Sequence, residues 1–380
     1  MRRFTLFLAG LGLAGCGAVA LADAGFVAAP FDAAHWELDG GDLGFVTYLG
    51  EPALRIHQGS AMLRDSDIGT GTIEYDIAFQ AEREFPGVHF RGRESGDWEY
   101  FYLRPHKNSG WDSNQYMPVI GGAATWQIYS GAGFNSTETY KLGAWNRIRI
   151  ELYPTSADVF VNGVRSLRIP ELKSSSTHGF LAVDSAAGAG NTTGQVYYAN
   201  FRYRSGPNAR PDDMPAPLAN DLPGLIRRWQ VSEALSDDDA SRRAAAVDWA
   251  GPRWTPLPVE RHGVANLARA ATRAGPKRFA IARFDVAADR AMSKMLRLGY
   301  SDIARIYVNG ALLYRGDNSQ YSRDPGFLGI VGLHETLAVP LRAGRNDIAF
   351  VVEENSGGWG AQAQFADPGG LASSALEAAP

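Results

Sequence analysis

Hydrophobic and polar residues alternate with a period of two along most of this chain. In 71–79 the residues Ile73, Tyr75, Ile77 and Phe79 fall on one side. In 145–153 the same holds for Ile148, Ile150 and Leu152, and 98–104 alternates as well. Alternation over that length predicts strands with one face on a core. Turn clusters separate them. Asn162-Gly163 lies between 157–161 and 164–169, a strong hairpin signal, and Asn309-Gly310 repeats it further on. The two turns sit in different contexts and read as one turn solution used twice, not as a repeat.

The strand pattern falls into two blocks, 25–204 and 224–367. In the second, 279–286, 303–308 and 348–353 read as strands. Between the blocks, 205–223 is polar and carries Pro207, Pro211, Pro215 and Pro217, which predicts an extended, stiff linker. Only 237–247, with its run of three aspartates, predicts a short helix. The stretch 264–273 fits helix or strand equally well. The tail 368–380 is rich in Gly, Ser and Ala and reads as loose. The expected fold class is all-β, two antiparallel β-sandwich (jelly-roll) domains in tandem. A length of 380 residues exceeds what one core usually serves, and 45% apolar residues suffice for two. The 43 glycines and 11% aromatics suit short strands with tight turns.

The first 24 residues carry a different pattern. Met1-Arg2-Arg3 is followed by an apolar run and by small residues of the A-x-A type ending at Ala22 and Ala24, the signature of an export signal. The chain's single cysteine closes Leu13-Ala14-Gly15-Cys16, which resembles the lipobox of bacterial lipoproteins, so lipidation at Cys16 and ordinary cleavage further on both stand open. Either way the destination is periplasm, cell surface or medium. The folded part then holds no disulfide or cysteine chemistry. No later stretch is long and apolar enough for a membrane-spanning helix. A formal net charge of −4 speaks against a nucleic-acid partner.

The first block resembles the concanavalin A-like lectin and glucanase superfamily, and more closely laminin-G-like modules and the bacterial 3-keto-disaccharide hydrolase domain. The residues that carry the likeness are 71–76, 86–91, 145–150, 159–163, 179–182 and 198–202. The second block is similar to galactose-binding-like jelly rolls such as the sugar-binding domain of family 2 glycoside hydrolases, through 307–310, 339–348 and 357–360. The resemblance implies contact with polysaccharide or glycan on the open sheet face of the first sandwich. It does not imply one activity, because both folds host many.

Strand alternation then selects candidates. If Phe90, Phe101 and Leu103 face the core, His89, Arg91, Tyr100, Tyr102 and Arg104 line the opposite side of the sheet, with Trp126 near its rim. Aromatic faces with polar neighbours suit a pyranose, which has one apolar C–H face and a hydroxyl rim. Ordinary cross-strand pairs on a wet face are the plainer reading. Glu74 and Asp76, about 7 Å apart along one strand, resemble the Glu-x-Asp core of family 16 glucanases and make a glycan-cleaving hydrolase the alternative. They also read as solvated charges. Asp317 and Asp324 offer oxygen ligands for calcium in a loop that turn chemistry explains equally well. The seven histidines have no metal-binding spacing, and no other cofactor is expected. A third reading is a surface module that binds protein.

Overall fold

The computed structural model describes residues 25–185, 192–216, 222–260 and 263–377, so the expected export signal and Cys16 lie outside the described residues. The chain is all-β, with 51% strand and 5% helix. One antiparallel sheet spans Val27 to Ser205. Its main path runs Val164–Ile169, Ala157–Val161, Asn146–Leu152, Gly71–Phe79, Val196–Ser205, Glu51–Leu63, Phe180–Ser185, Pro86–Gly92, Trp98–Leu103, Asn114–Ile120. Ile73, Tyr75, Ile77 and Ile150 from one end pack in a single cluster with Val88, Phe90 and Phe101 from the other. The sheet therefore curls over on itself, and the apolar side of each alternating strand faces the fold's interior. Each fully buried Ile or Phe contributes about 1.5–3 kcal/mol.

In the second block, strands from seven-stranded and four-stranded sheets share one core. Phe284, Val286, Ile348 and Phe350 of the first meet Leu296, Leu298, Ala363 and Phe365 of the second. The helix Asp237–Ala246 forms as its acidic first turn predicts, with Ser236 accepting from the Asp239 backbone as N-cap. The ambiguous 264–273 resolves into the short strand Ala265–Asn266 and a single 3-10 turn, Leu267–Arg269. The tail, read as loose, packs back instead. Leu371–Ala372 pairs with Ala287 and Ala288, and Ala375 O accepts from Arg227 N at 2.6 Å. Its small side chains let backbone approach backbone, which composition alone does not reveal. The described part of the linker also lies against the first sheet: Met214 is buried, Asp213 pairs with Arg168 at 2.8 Å, and Asn208 donates to Gly71 O.

Both Asn-Gly turns adopt left-handed backbone at each residue, with φ of 51° and 84° in either turn. The likeness extends to their surroundings. Asn162 Oδ1 accepts from Arg147 N while its amide donates to Asn146 Oδ1. Asn309 does the same with Asp347 N and Asn346. Asn146 and Asn346 each close the turn before their own strand. The connectivity differs: the strand holding Asn146 precedes its hairpin, whereas the strand holding Asn346 follows it. One local solution thus occurs twice without a sequence repeat.

The two blocks meet around Gln127, which is fully buried. Its N–H donates to Gly357 O at 2.8 Å and its carbonyl accepts from Val331 N at 2.9 Å. Its side-chain amide donates to Leu328 O at 3.0 Å, and Oε1 accepts from Ser301 Oγ at 2.7 Å. Val264 and Val331 extend the first core beside Ile128.

Candidate functional site

The strand register settles which side chains share the outer face. His89 pairs with Tyr100, and Tyr100 with Met117; Gly87 pairs with Tyr102, and Tyr102 with Gln115. Val88, Phe90, Phe101 and Leu103 alternate inward and are completely buried. On the outward side the rings form a continuous series. Phe180 lies 6.5 Å from Trp98, Trp98 stacks on His89 at 5.2 Å, and His89 meets Tyr100 edge-on at 4.7 Å. Tyr100 stacks on Tyr102 at 5.1 Å, Tyr102 lies 6.2 Å from Phe85, and Phe85 lies 5.2 Å from His106. Pairs at these separations attract by about 0.5–1.5 kcal/mol beyond the area they bury.

The tyrosines are not open to solvent: Tyr100 is 6% and Tyr102 4% exposed. With Met117 and Val119 they form a small apolar cluster outside the main core, and the half-buried Phe85, Trp98 and Trp126 pack over it. The accessible surface is therefore made by those three rings, with His89 between. Trp126 also borders the second block, because a Cβ on Gly357 would come within 2.7 Å of its indole.

Two arginines expected on this face behave differently. Arg104 belongs to it. Its guanidinium lies 4.8 Å over the Tyr102 ring and donates to Asp112 O, Tyr102 Oη and Gln115 Oε1. Arg91 does not. A register shift between Phe180 and Ala182 interrupts the alternation, and Arg91 adopts a φ of 55°. Its side chain turns inward, donating to Gly69 O at 2.8 Å and Tyr153 O at 2.7 Å. Burial lowers its pKa, and nearby Glu99 opposes that. Glu99 is itself fully buried beneath the aromatic row. It accepts from Tyr116 Oη and Ser174 N, and burial pushes it up to about 7.

Alternation in 180–185 sends Asp184 outward, although its neighbourhood with His89 depends on strand order. Asp184 Oδ1 accepts from Tyr100 Oη at 2.8 Å, and Oδ2 lies 3.3 Å from His89 Nε2. Burial, then the Asp184 charge, raises the Tyr100 hydroxyl well above its usual range. A second histidine–carboxylate pair lies close by. His57 Nδ1 donates to Gly194 O at 2.6 Å and lies 3.8 Å from Glu84, which accepts from Ser185 Oγ and Gly194 N. No spacing in the sequence signals this pair, because it joins residues from distant segments.

Glu74 and Asp76 occupy the outer face of another part of the sheet, with three strands between theirs and the Pro86–Gly92 strand. Asp76 takes two hydrogen bonds from Arg147 and one from Asn200. Glu74 pairs with Arg202 at 2.7 Å, and Arg147 and Arg149 lie within 3.8 Å. Both carboxylates are thus engaged by guanidinium groups. Asp317 and Asp324 each close a turn, accepting from Ser319 N and Gly326 N. Among the described residues no group of three or more His, Cys, Asp or Glu is placed to hold a metal ion. No helix among them is long and apolar enough to cross a membrane.

No family model and no curated protein matches this chain. Solved structures similar to part of it include the carbohydrate-binding module CBM66 from Bacillus subtilis, at 10% identity over 45% of this chain and 96% of that one, TM-score 0.35. The Bacillus licheniformis β-glucanase is 16% identical over 48% and 98%, TM-score 0.33. A Bacillus subtilis protein of unknown function with a galectin-like fold is 9% identical over 47% and 94%, TM-score 0.34. Likeness at this level says nothing about what the chain binds.

Proposed function

We propose that this is an exported protein that binds polysaccharide or glycan on the outer aromatic face of its first sandwich, residues 25–204, within the concanavalin A-like superfamily. The second sandwich, 224–367, is assigned to the galactose-binding-like group. One observation carries the binding reading: Phe85, Trp98 and Trp126 stand partly exposed over a cluster drawn wholly from residues 85–126. Apolar rings on an outer sheet face favour a ligand with an apolar face of its own. His89, partly exposed between them, supplies a polar group for hydroxyls. The test is retention on a panel of immobilised polysaccharides. The reading predicts that at least one retains the protein and that Trp98→Ala weakens retention; a panel that retains nothing overturns it in favour of a protein-binding surface module.

A hydrolase reading is favoured by the His89–Asp184 pair more than by Glu74 and Asp76, whose oxygens face arginines. Reducing-sugar release that Asp184→Asn removes and Glu74→Gln spares would establish it. Export predicts a mature chain lacking the first residues, and the mass of its N-terminus decides between a lipidated Cys16 and cleavage after Ala22 or Ala24.

A further inference from the structure

We propose that the glycan bound here carries negative charge, as carboxylate or sulfate, and that Arg83 and Lys107, beside His106 at one end of the aromatic row, receive it. This rests on the carbohydrate reading above and names its ligand class. Arg83 places its guanidinium 5.1 Å from the centroid of the Phe85 ring, and that ring meets His106 edge-on. Lys107 follows His106 in the same 3-10 turn and is exposed. Neither Arg83 nor Lys107 forms an ion pair with a carboxylate among the described residues, whereas Arg147, Arg149 and Arg202 on the other outer face all do.

The acidic groups in the neighbourhood do not neutralise this end. Asp112 lies 4.0 Å from Arg104 and is buried beside it. Glu84 is engaged by Ser185 and Gly194. Glu82 is the exposed acid nearest in sequence to Arg83. The excess of positive charge shows on His106. Burial, then Arg83, Arg104 and Lys107, lower it to about 4, and its Nδ1 is buried without a hydrogen-bond partner. A sugar beside Phe85 would therefore set an acidic substituent near the Arg83 guanidinium, which lies over that ring, and near the exposed Lys107. Charge-assisted hydrogen bonds are stronger than neutral ones, and neither cation would break an ion pair with a carboxylate to form them.

The experiment compares a polyuronate with its methyl-esterified form, and a sulfated galactan with its desulfated form, by affinity electrophoresis of the full chain. We expect the charged member of one pair to bind about tenfold tighter, a difference of about 1.4 kcal/mol, with the preference weakening at high salt. Which pair shows it distinguishes carboxylate from sulfate. Arg83→Gln with Lys107→Gln should remove the preference, leave binding of the neutral form intact, and leave the melting temperature unchanged. Equal binding of charged and neutral forms, or a preference that survives the double variant, overturns this inference and leaves the carbohydrate reading standing. Failure of all four polymers to bind overturns both.

Discussion

On one outer face of the N-terminal sheet, Glu74, Asp76, Arg147, Arg149 and Arg202 pair acid against base. On the other, Phe180, Trp98, His89, Tyr100, Tyr102, Phe85 and His106 pack ring against ring, stacked or edge-on. Both arise from the same period-two alternation, and both lie over the same core. Their difference is in what is already satisfied. The charged face is close to self-complementary: its carboxylates and guanidinium groups have found one another. The aromatic face has polar groups bonded at its base, but it presents partly exposed rings and, at one end, cations without acids. A face that has met its own needs is structural; a face with apolar and charged groups left over has room for a partner.

The cores beneath the two faces differ as well, which gives the largest expected effect. Under the charged face, Ile73, Tyr75 and Ile77 point inward; under the aromatic face, so does Glu99. Folding holds a proton on Glu99, raising it from 4.5 to about 7. Its contribution is complete below the unfolded value and is lost as pH rises through the folded one, on the order of 3 kcal/mol in all. Urea titrations at pH 5 and pH 8 should show stability falling with pH, and Glu99→Gln should lessen that slope, leaving the part due to Glu354, which burial raises to about 8. An unchanged slope would show that Glu99 is not the group responsible.

Next in size is the junction, which touches the aromatic face through Trp126 and leaves the charged face alone. Gln127→Ala removes the partners of Leu328 O and Ser301 Oγ and should cost about 2 kcal/mol. Calorimetry measures the loss, and glycan affinity should fall with it as Trp126 shifts. Affinity that holds while stability drops would remove Trp126 from the binding surface. Third, Trp98→Ala should weaken retention on polysaccharide by about tenfold or more, while Trp98→Phe recovers part of it. Recovery by phenylalanine separates a stacking role from a failure to fold.

The smallest effect sharpens the contrast from the other side. Glu74 and Asp76 are buried, but their arginine partners are 30–45% exposed and stay solvated when the charge is removed, so Glu74→Gln and Asp76→Asn should each cost about 1 kcal/mol of stability. Neither should alter glycan binding. Loss of binding in these variants, with the fold intact, would move the site to the charged face.

Much of this architecture was legible in the chain. Alternation identified the strands and assigned Val88, Phe90, Phe101 and Leu103 to the core. The two Asn-Gly pairs marked hairpins that take the expected left-handed turns. The same alternation misplaced Arg91, because a bulge depends on the neighbouring strand, and no single-strand pattern contains it. It also left Tyr100 and Tyr102 looking exposed, since the periodicity of one strand gives direction but not the size of the rings that arrive from elsewhere to cover it.

Local sequence by itself determined direction: which side chains point inward, where turns fall, where one short helix begins. Those properties follow from backbone geometry, which repeats every two residues in a strand whatever surrounds it. Only the tertiary structure decided company. It placed His57 beside Glu84 and Asp184 beside His89, matched Glu74 with arginines instead of a substrate cleft, and set Gln127 against the second sandwich. Such pairings depend on strand order and curl, which arise from the packing of the whole core and are written in no single segment.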